Sequence, residues 1–201
     1  AWLTKAMKER DYEKIIKLSA DLGHYIADAH VPLHTTENYN GQLTNQHGIH
    51  GLWESRLPEI FVTKYDFYTG KAVYLHAPLS TIWQTVAESF AAKDSVLAME
   101  RELTLRMPNT KYSFESKGAT TVKVYSREFS SAYHSALNQM VERRMKKAIF
   151  MVGCFWYTAW VDAGQPDLEF TVKQRIDLQP QLDSLAKLMQ SETIKGRMET
   201  H

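Results

Sequence analysis

Apolar residues recur at helical spacing along almost the whole chain. Ile15, Leu18, Leu22, Ile26 and Ala29 keep to one face of a 3.6-residue repeat, which predicts a helix over about 12–30. Pro32 ends that helix, because proline lacks an N–H donor and restricts the residue before it. Residues 35–47, TTENYNGQLTNQH, are polar and rich in turn formers, so a loop is expected there. Ile49, Leu52, Trp53, Leu57 and Ile60 mark a second helix over about 48–61, which Pro58 kinks or ends early. Pro78 suits the first turn of a long helix through STIWQTVAESFAAKDSVLAMERELTL. Residues 107–126 read as a loop with a short extended piece at TVKVY, and a long apolar-periodic segment follows over about 127–162. The last forty residues are more charged and are expected to fray, apart from a short helix near 180–190. The expected class is all-α, with several helices packed in one domain over 1–201.

Composition allows a real core but narrows the partners. A chain of 201 residues suits one domain or a large part of one, and 44% hydrophobic residues is ordinary for a globular protein. The formal net charge of +1, from 24 basic and 23 acidic side chains, lacks the basic excess of an electrostatic nucleic-acid binder. A bound metal could still supply positive charge locally. One cysteine, Cys154, excludes an internal disulfide, and its place in AIFMVGCFWYTAWV predicts a buried thiol. That run of 14 residues is too short to span a membrane, so no transmembrane segment is expected. The opening residues carry no signal-peptide pattern, which a mature chain would also lack, so the residues alone assign no compartment.

The histidines change the picture. Five of the eight lie within HYIADAHVPLHTTENYNGQLTNQHGIHGLWE, residues 24–54. His24 and Asp28 are four apart, as are His50 and Glu54, so each pair shares one helical face. Alone, His24 with Asp28, Asp21 and Lys17 would read as a solvated polar stripe. His34, just past the Pro32 turn, adds a third donor folded back toward the helix end, and His50 with Glu54 adds a second pair. Imidazole nitrogen plus carboxylate oxygen is the ligand set of catalytic zinc. His30 falls off the ligand face and reads as packing; His47 reads as exposed, and His134 as a surface or core histidine. Asn38, Tyr39, Asn40 and Asn45 are candidate substrate contacts from the loop. Phe155, Trp156, Tyr157 and Trp160 read as core packing, and ERRMKKA over 142–148 as a solvated helix face.

The composite pattern His-x3-Asp-x5-His, a variable loop, then His-x3-Glu resembles the core of the zinc-dependent phospholipase C and S1/P1 nuclease superfamily. The resemblance implies the all-α fold of that superfamily and metal-assisted hydrolysis of a phosphodiester, with up to three Zn2+ ions. It implies that His34, His50 and Glu54 hold one zinc, that His24 and Asp28 belong to a second, and that Asp28 bridges to a third. The remaining family ligands, and its proposed general base, precede this motif. They find no match among the 23 residues before His24, so no catalytic base is assigned and one complete zinc site is expected. The chain then reads as the C-terminal part of a larger zinc phosphoesterase domain. The family is typically exported, so a secreted or periplasmic location is the expectation.

Within the superfamily, Glu54 and the 15-residue gap between His34 and His50 resemble the phospholipase C branch. The loop NYNGQLTNQHG departs from the Asp-x-Gly-Gly-Asn stretch of the nuclease branch, whereas HYIADAHVPLH reads much like the nuclease version. The expectation is a phospholipase C-like zinc phosphoesterase acting on a phospholipid or nucleotide diester. An S1/P1-type single-strand nuclease is the alternative, and a non-catalytic helical module with one vestigial zinc is the further one. A structural zinc is disfavoured, because such sites are usually four-coordinate and cysteine-rich.

Overall fold

Helix α1 (Trp2–Glu9) stops at Arg10, whose left-handed backbone lets its N–H reach the carbonyls of Ala6 and Met7. The chain turns directly into α2 (Tyr12–Ala29), where the Asp11 carboxylate caps the first turn by accepting from the Lys14 N–H at 3.2 Å. The computed structural model describes residues 1–118 and 120–168, so the helix expected near 180–190 lies outside the described residues. Helix α2 ends where the apolar period and Pro32 place its end, and Pro32 opens a short 3-10 turn over Pro32–Thr35.

The second expected helix forms in pieces without a break. Helix α3 (Ile49–Gly51) runs into a π-helical turn over Leu52–Arg56, then α4 (Leu57–Phe61) and a 3-10 turn over Val62–Lys64. Pro58 has no N–H for the carbonyl of Glu54, and its ring crowds that carbonyl. The chain absorbs both effects by widening the preceding turn, as π-bulges do. One face of this stretch is buried, with Ile49, Leu52, Trp53 and Leu57 all in the core.

Helix α5 (Pro78–Arg106) starts on proline, as expected. Its C-terminal half buries Val96, Leu97 and Leu103 against Phe129, Tyr133 and Val141, while Leu79, Trp83 and Phe90 in its first half stay exposed. A β-hairpin follows, pairing β1 (Tyr112–Lys117) with β2 (Thr120–Tyr125) antiparallel, Tyr112 opposite Tyr125. The fold is therefore mostly helical with one small two-stranded sheet, roughly consistent with the all-α expectation, and the extended piece expected at TVKVY is one strand of that sheet. A lone hairpin is marginal in water. Here Tyr125 is buried in the core, and Arg56 donates to the Tyr125 carbonyl (2.9 Å) and to the Glu115 carboxylate.

The long apolar-periodic segment over about 127–162 forms two helices. Helix α6 (Arg127–Ala136), capped by Ser126, ends at Leu137, and α7 (Met140–Asp162) begins after Asn138 and Gln139, both left-handed with φ 49° and 50°. Leu137 and Val141 are buried on either side of the break, so the apolar period passes through it unchanged. A smaller core joins Leu3, Ala6, Met7 and Ile15 to Ala159 of α7.

One buried polar knot ties the loop before α3 to α5 and the hairpin. Glu100, fully buried, accepts from Lys111 Nζ at 2.7 Å, Gln46 Nε2 at 2.6 Å and Thr104 Oγ1 at 3.2 Å. Cys154 is buried, as expected, and accepts from the Val73 N–H. Trp156 and Tyr157 are 40% and 38% exposed, so the aromatic run on α7 is only partly core, because three successive positions on a helix cannot all face inward. No helix among the described residues is long and apolar enough to cross a membrane.

Candidate metal centre

Three elements deliver the donors. Helix α2 carries His24 and Asp28 on one face, the 3-10 turn carries His34, and α3 with its π turn carries His50 and Glu54. His34 Nε2 lies 3.3 Å from His50 Nε2 and 3.0 Å from Glu54 Oε1, and His50 Nε2 lies 3.1 Å from Glu54 Oε2. The two imidazoles stack with centroids 5.1 Å apart. Zinc with ligands at about 2.0–2.1 Å in tetrahedral array spaces its donors about 3.3 Å apart. The His34–His50 distance matches that spacing, the Glu54 contacts reach one carboxylate oxygen each, and one donor atom from each of the three residues falls within 4.8 Å of the others. The three residues form a group that could hold a metal ion.

Protonation states are arranged to suit a cation. The carbonyl oxygen of Tyr39 lies 3.2 Å from His50 Nδ1. A carbonyl only accepts, so Nδ1 carries a hydrogen toward Tyr39 and Nε2 is the nitrogen turned toward Glu54. Partial burial raises the Glu54 carboxyl, but hydrogen bonds and charge from His34 and His50 outweigh it and hold the pKa at about 2. The side chains of the three residues keep 29% (His34), 25% (His50) and 32% (Glu54) of their surface, so the cluster is open to solvent.

Asp28 sits at the edge. Its Oδ1 is 3.6 Å from His34 Nδ1 and its Oδ2 is 3.3 Å from His24 Nε2. It lies in ion-pair range of His34 but beyond hydrogen bonding, and it pairs with His24, whose side chain is 71% exposed. Of the five residues singled out by spacing, three converge in one donor group, and His24 with Asp28 form a separate pair beside it.

The loop that positions Tyr39 is built around its own amides. Asn38 is buried and uses both ends of its side chain internally, donating to Thr44 Oγ1 and accepting from the Leu43 N–H. Asn40 accepts from the Gly48 N–H, and Asn45 is exposed in a left-handed turn. Gly41 has φ +74°, and a Cβ there would lie 2.3 Å from the Gln46 carbonyl oxygen, so only glycine closes this turn. Asn38 thus shapes the loop and Tyr39 contributes its backbone. A backbone carbonyl acting on a ligand leaves no trace in residue identity, so sequence reasoning had no signal for it.

His30 is buried with Nδ1 2.7 Å from the Ile26 carbonyl, its pKa lowered chiefly by burial; His47 is exposed. An open cleft of about 490 Å³ runs from Asp28 and His34 to Tyr25, Trp83 and Phe90, with no lysine or arginine in its lining. Trp83 and Phe90 were missed, although Leu79, Trp83 and Phe90 form an apolar stripe at helical spacing. No protein-family model, curated protein or solved structure matches the chain, so the geometry of its own residues carries the functional reading.

Proposed function

We propose that this chain belongs to a zinc-dependent, phospholipase C-like phosphodiester hydrolase and holds one zinc on His34, His50 and Glu54. The observation that supports it most is the trio of donor contacts at 3.0 to 3.3 Å, two imidazoles and one carboxylate, which is the three-ligand set of catalytic rather than structural zinc. When bound, zinc there supplies a water of lowered pKa and a Lewis acid for a phosphoryl oxygen. The chain's own residues prepare the site. The Tyr39 carbonyl accepts from His50 Nδ1, Asp28 lies in ion-pair range of His34, and Glu54 is ionised at any physiological pH. The cleft floored by Tyr25, Trp83 and Phe90 gives the organic part of the ester an apolar surface next to His34. The exposed rings of Tyr25 and Trp83 also favour the nuclease reading, since aromatic faces stack bases. Export, as the resemblance implies, belongs to the same reading.

The test pairs metal content with turnover. We expect one zinc per chain after chelator-free purification, lost in His50→Ala and Glu54→Gln, and zinc-dependent hydrolysis of bis(p-nitrophenyl) phosphate that those variants abolish. Zinc bound without hydrolysis would leave a metal-binding helical module. No zinc in the parent chain would remove the reading altogether.

A further inference from the structure

The basic run on α7 is not a solvated face throughout. Arg144 is only 9% exposed, within the run Arg143, Arg144, Lys146 and Lys147. A buried guanidinium needs partners for its charge, and this one is short of them. Its Nη2 donates to Ser89 Oγ at 2.6 Å. Its nearest carboxylate oxygen, on Glu88, is 3.7 Å away, beyond hydrogen bonding, because Lys147 Nζ holds that same oxygen at 2.9 Å. The Arg144 Nε has no hydrogen-bond partner among the described residues.

Arg144 stands in the wall between two cavities, and their other walls decide which one an anion would enter. The inner cavity, about 250 Å³, is lined by Asp28 and Glu54, which repel an anion as long as no cation is bound there. The outer one, about 550 Å³, gathers Arg143, Arg144, Lys146 and Lys147 around the single carboxylate of Glu88. Lys146 is paired outside it with Asp66. Its remaining surface is largely apolar, with Ala92, Met140 and Phe150. None of the metal-ligand candidates lines it.

We propose that this outer cavity between α5 and α7 is a binding site for a phosphate group carried on an apolar body, distinct from the metal centre. The phosphate lies against Arg143, Arg144 and Lys147, and the carbon chain covers Met140, Ala92 and Phe150. A guanidinium and an ammonium together give the charge-assisted bonds a phosphate uses. The inference stands whether or not the metal centre is catalytic.

The test is calorimetric titration of the zinc-loaded chain with hexyl phosphate, inorganic phosphate and hexanol. The comparison variants are the double variant Arg143→Ala/Lys147→Ala, at two exposed positions, and His34→Ala, which disables the metal cluster. We expect saturable one-to-one binding of hexyl phosphate. Affinity should fall by about tenfold or more in the double variant, as loss of two charge-assisted contacts implies, and hold in His34→Ala. Hexanol should not bind, and inorganic phosphate should bind more weakly. Binding lost in His34→Ala but kept in the double variant would assign the phosphate to the metal centre and overturn the proposal. So would no saturable binding at millimolar hexyl phosphate. Inorganic phosphate binding as tightly as hexyl phosphate would overturn the amphiphilic ligand and leave a free anion.

Discussion

His134 shows how little a residue letter says about its state. Its ring lies against Phe61, centroids 4.3 Å apart, and its Nδ1 has no partner among the described residues. Burial lowers its pKa from 6.5, against the smaller opposing pull of Glu142. The unfolded chain therefore binds this proton first as pH falls, and the stability the neutral ring contributes is present above about 6.5 and lost below it. Buried His30 acts in the same direction. Melting temperature should drop between pH 7.5 and 5.5, and His134→Gln should flatten part of that slope; an unchanged slope in circular-dichroism melts would count against the assignment. At the metal centre, by contrast, the letters were informative. His34, His50 and Glu54 were legible by type and spacing, because coordination chemistry restricts which side chains can serve. Their orientation was not, since it depends on the Tyr39 carbonyl and on the closed turn at Gly41.

Among the elements, helices with a strong apolar period were readable and their interruptions were not. Helix α2 and helix α5 lie where periodicity and proline place them. The break at Asn138–Gln139 preserves the apolar phase, so no count of apolar positions could find it. The hairpin was half-visible as TVKVY, whereas its partner strand YSFESK becomes a strand by pairing and by the anchor from Arg56. The knot around Glu100 holds the hairpin, α5 and the metal-site loop in register. Lys111→Met leaves that carboxylate buried without its cation and should cost about 3–5 kcal/mol in urea unfolding. The double variant Lys111→Met/Glu100→Gln should recover a large part of it, because the uncompensated charge is then gone. Equal losses in the two would mean that packing rather than charge matters there.

For the whole molecule, a metal ion held by His34, His50 and Glu54 would cross-link distant segments. His34 sits on the turn after α2, whereas His50 and Glu54 sit beyond a 15-residue loop, so only the folded chain presents all three. An ion that binds the folded state alone stabilises it by mass action, about 2.7 kcal/mol at a hundred times its dissociation constant. Thermal melts should therefore rise with added zinc, return on chelation and show no such response in Glu54→Gln. A rise that persists in Glu54→Gln would place the ion elsewhere.

Taken by itself, the order of residues determined a mostly helical chain, the ends of its strongly periodic helices, and a set of donors able to bind metal. Those follow from local rules: 3.6-residue periodicity, proline's missing donor, and the chemistry of imidazole and carboxylate. Only the tertiary structure decided which donors meet. Three converge at 3.0 to 3.3 Å while His24 and Asp28 stand aside as a pair, and Arg144 is buried with its Nε unpartnered among the described residues. The reason is that convergence and desolvation depend on contacts between segments far apart in the chain, and no periodicity within one segment encodes them.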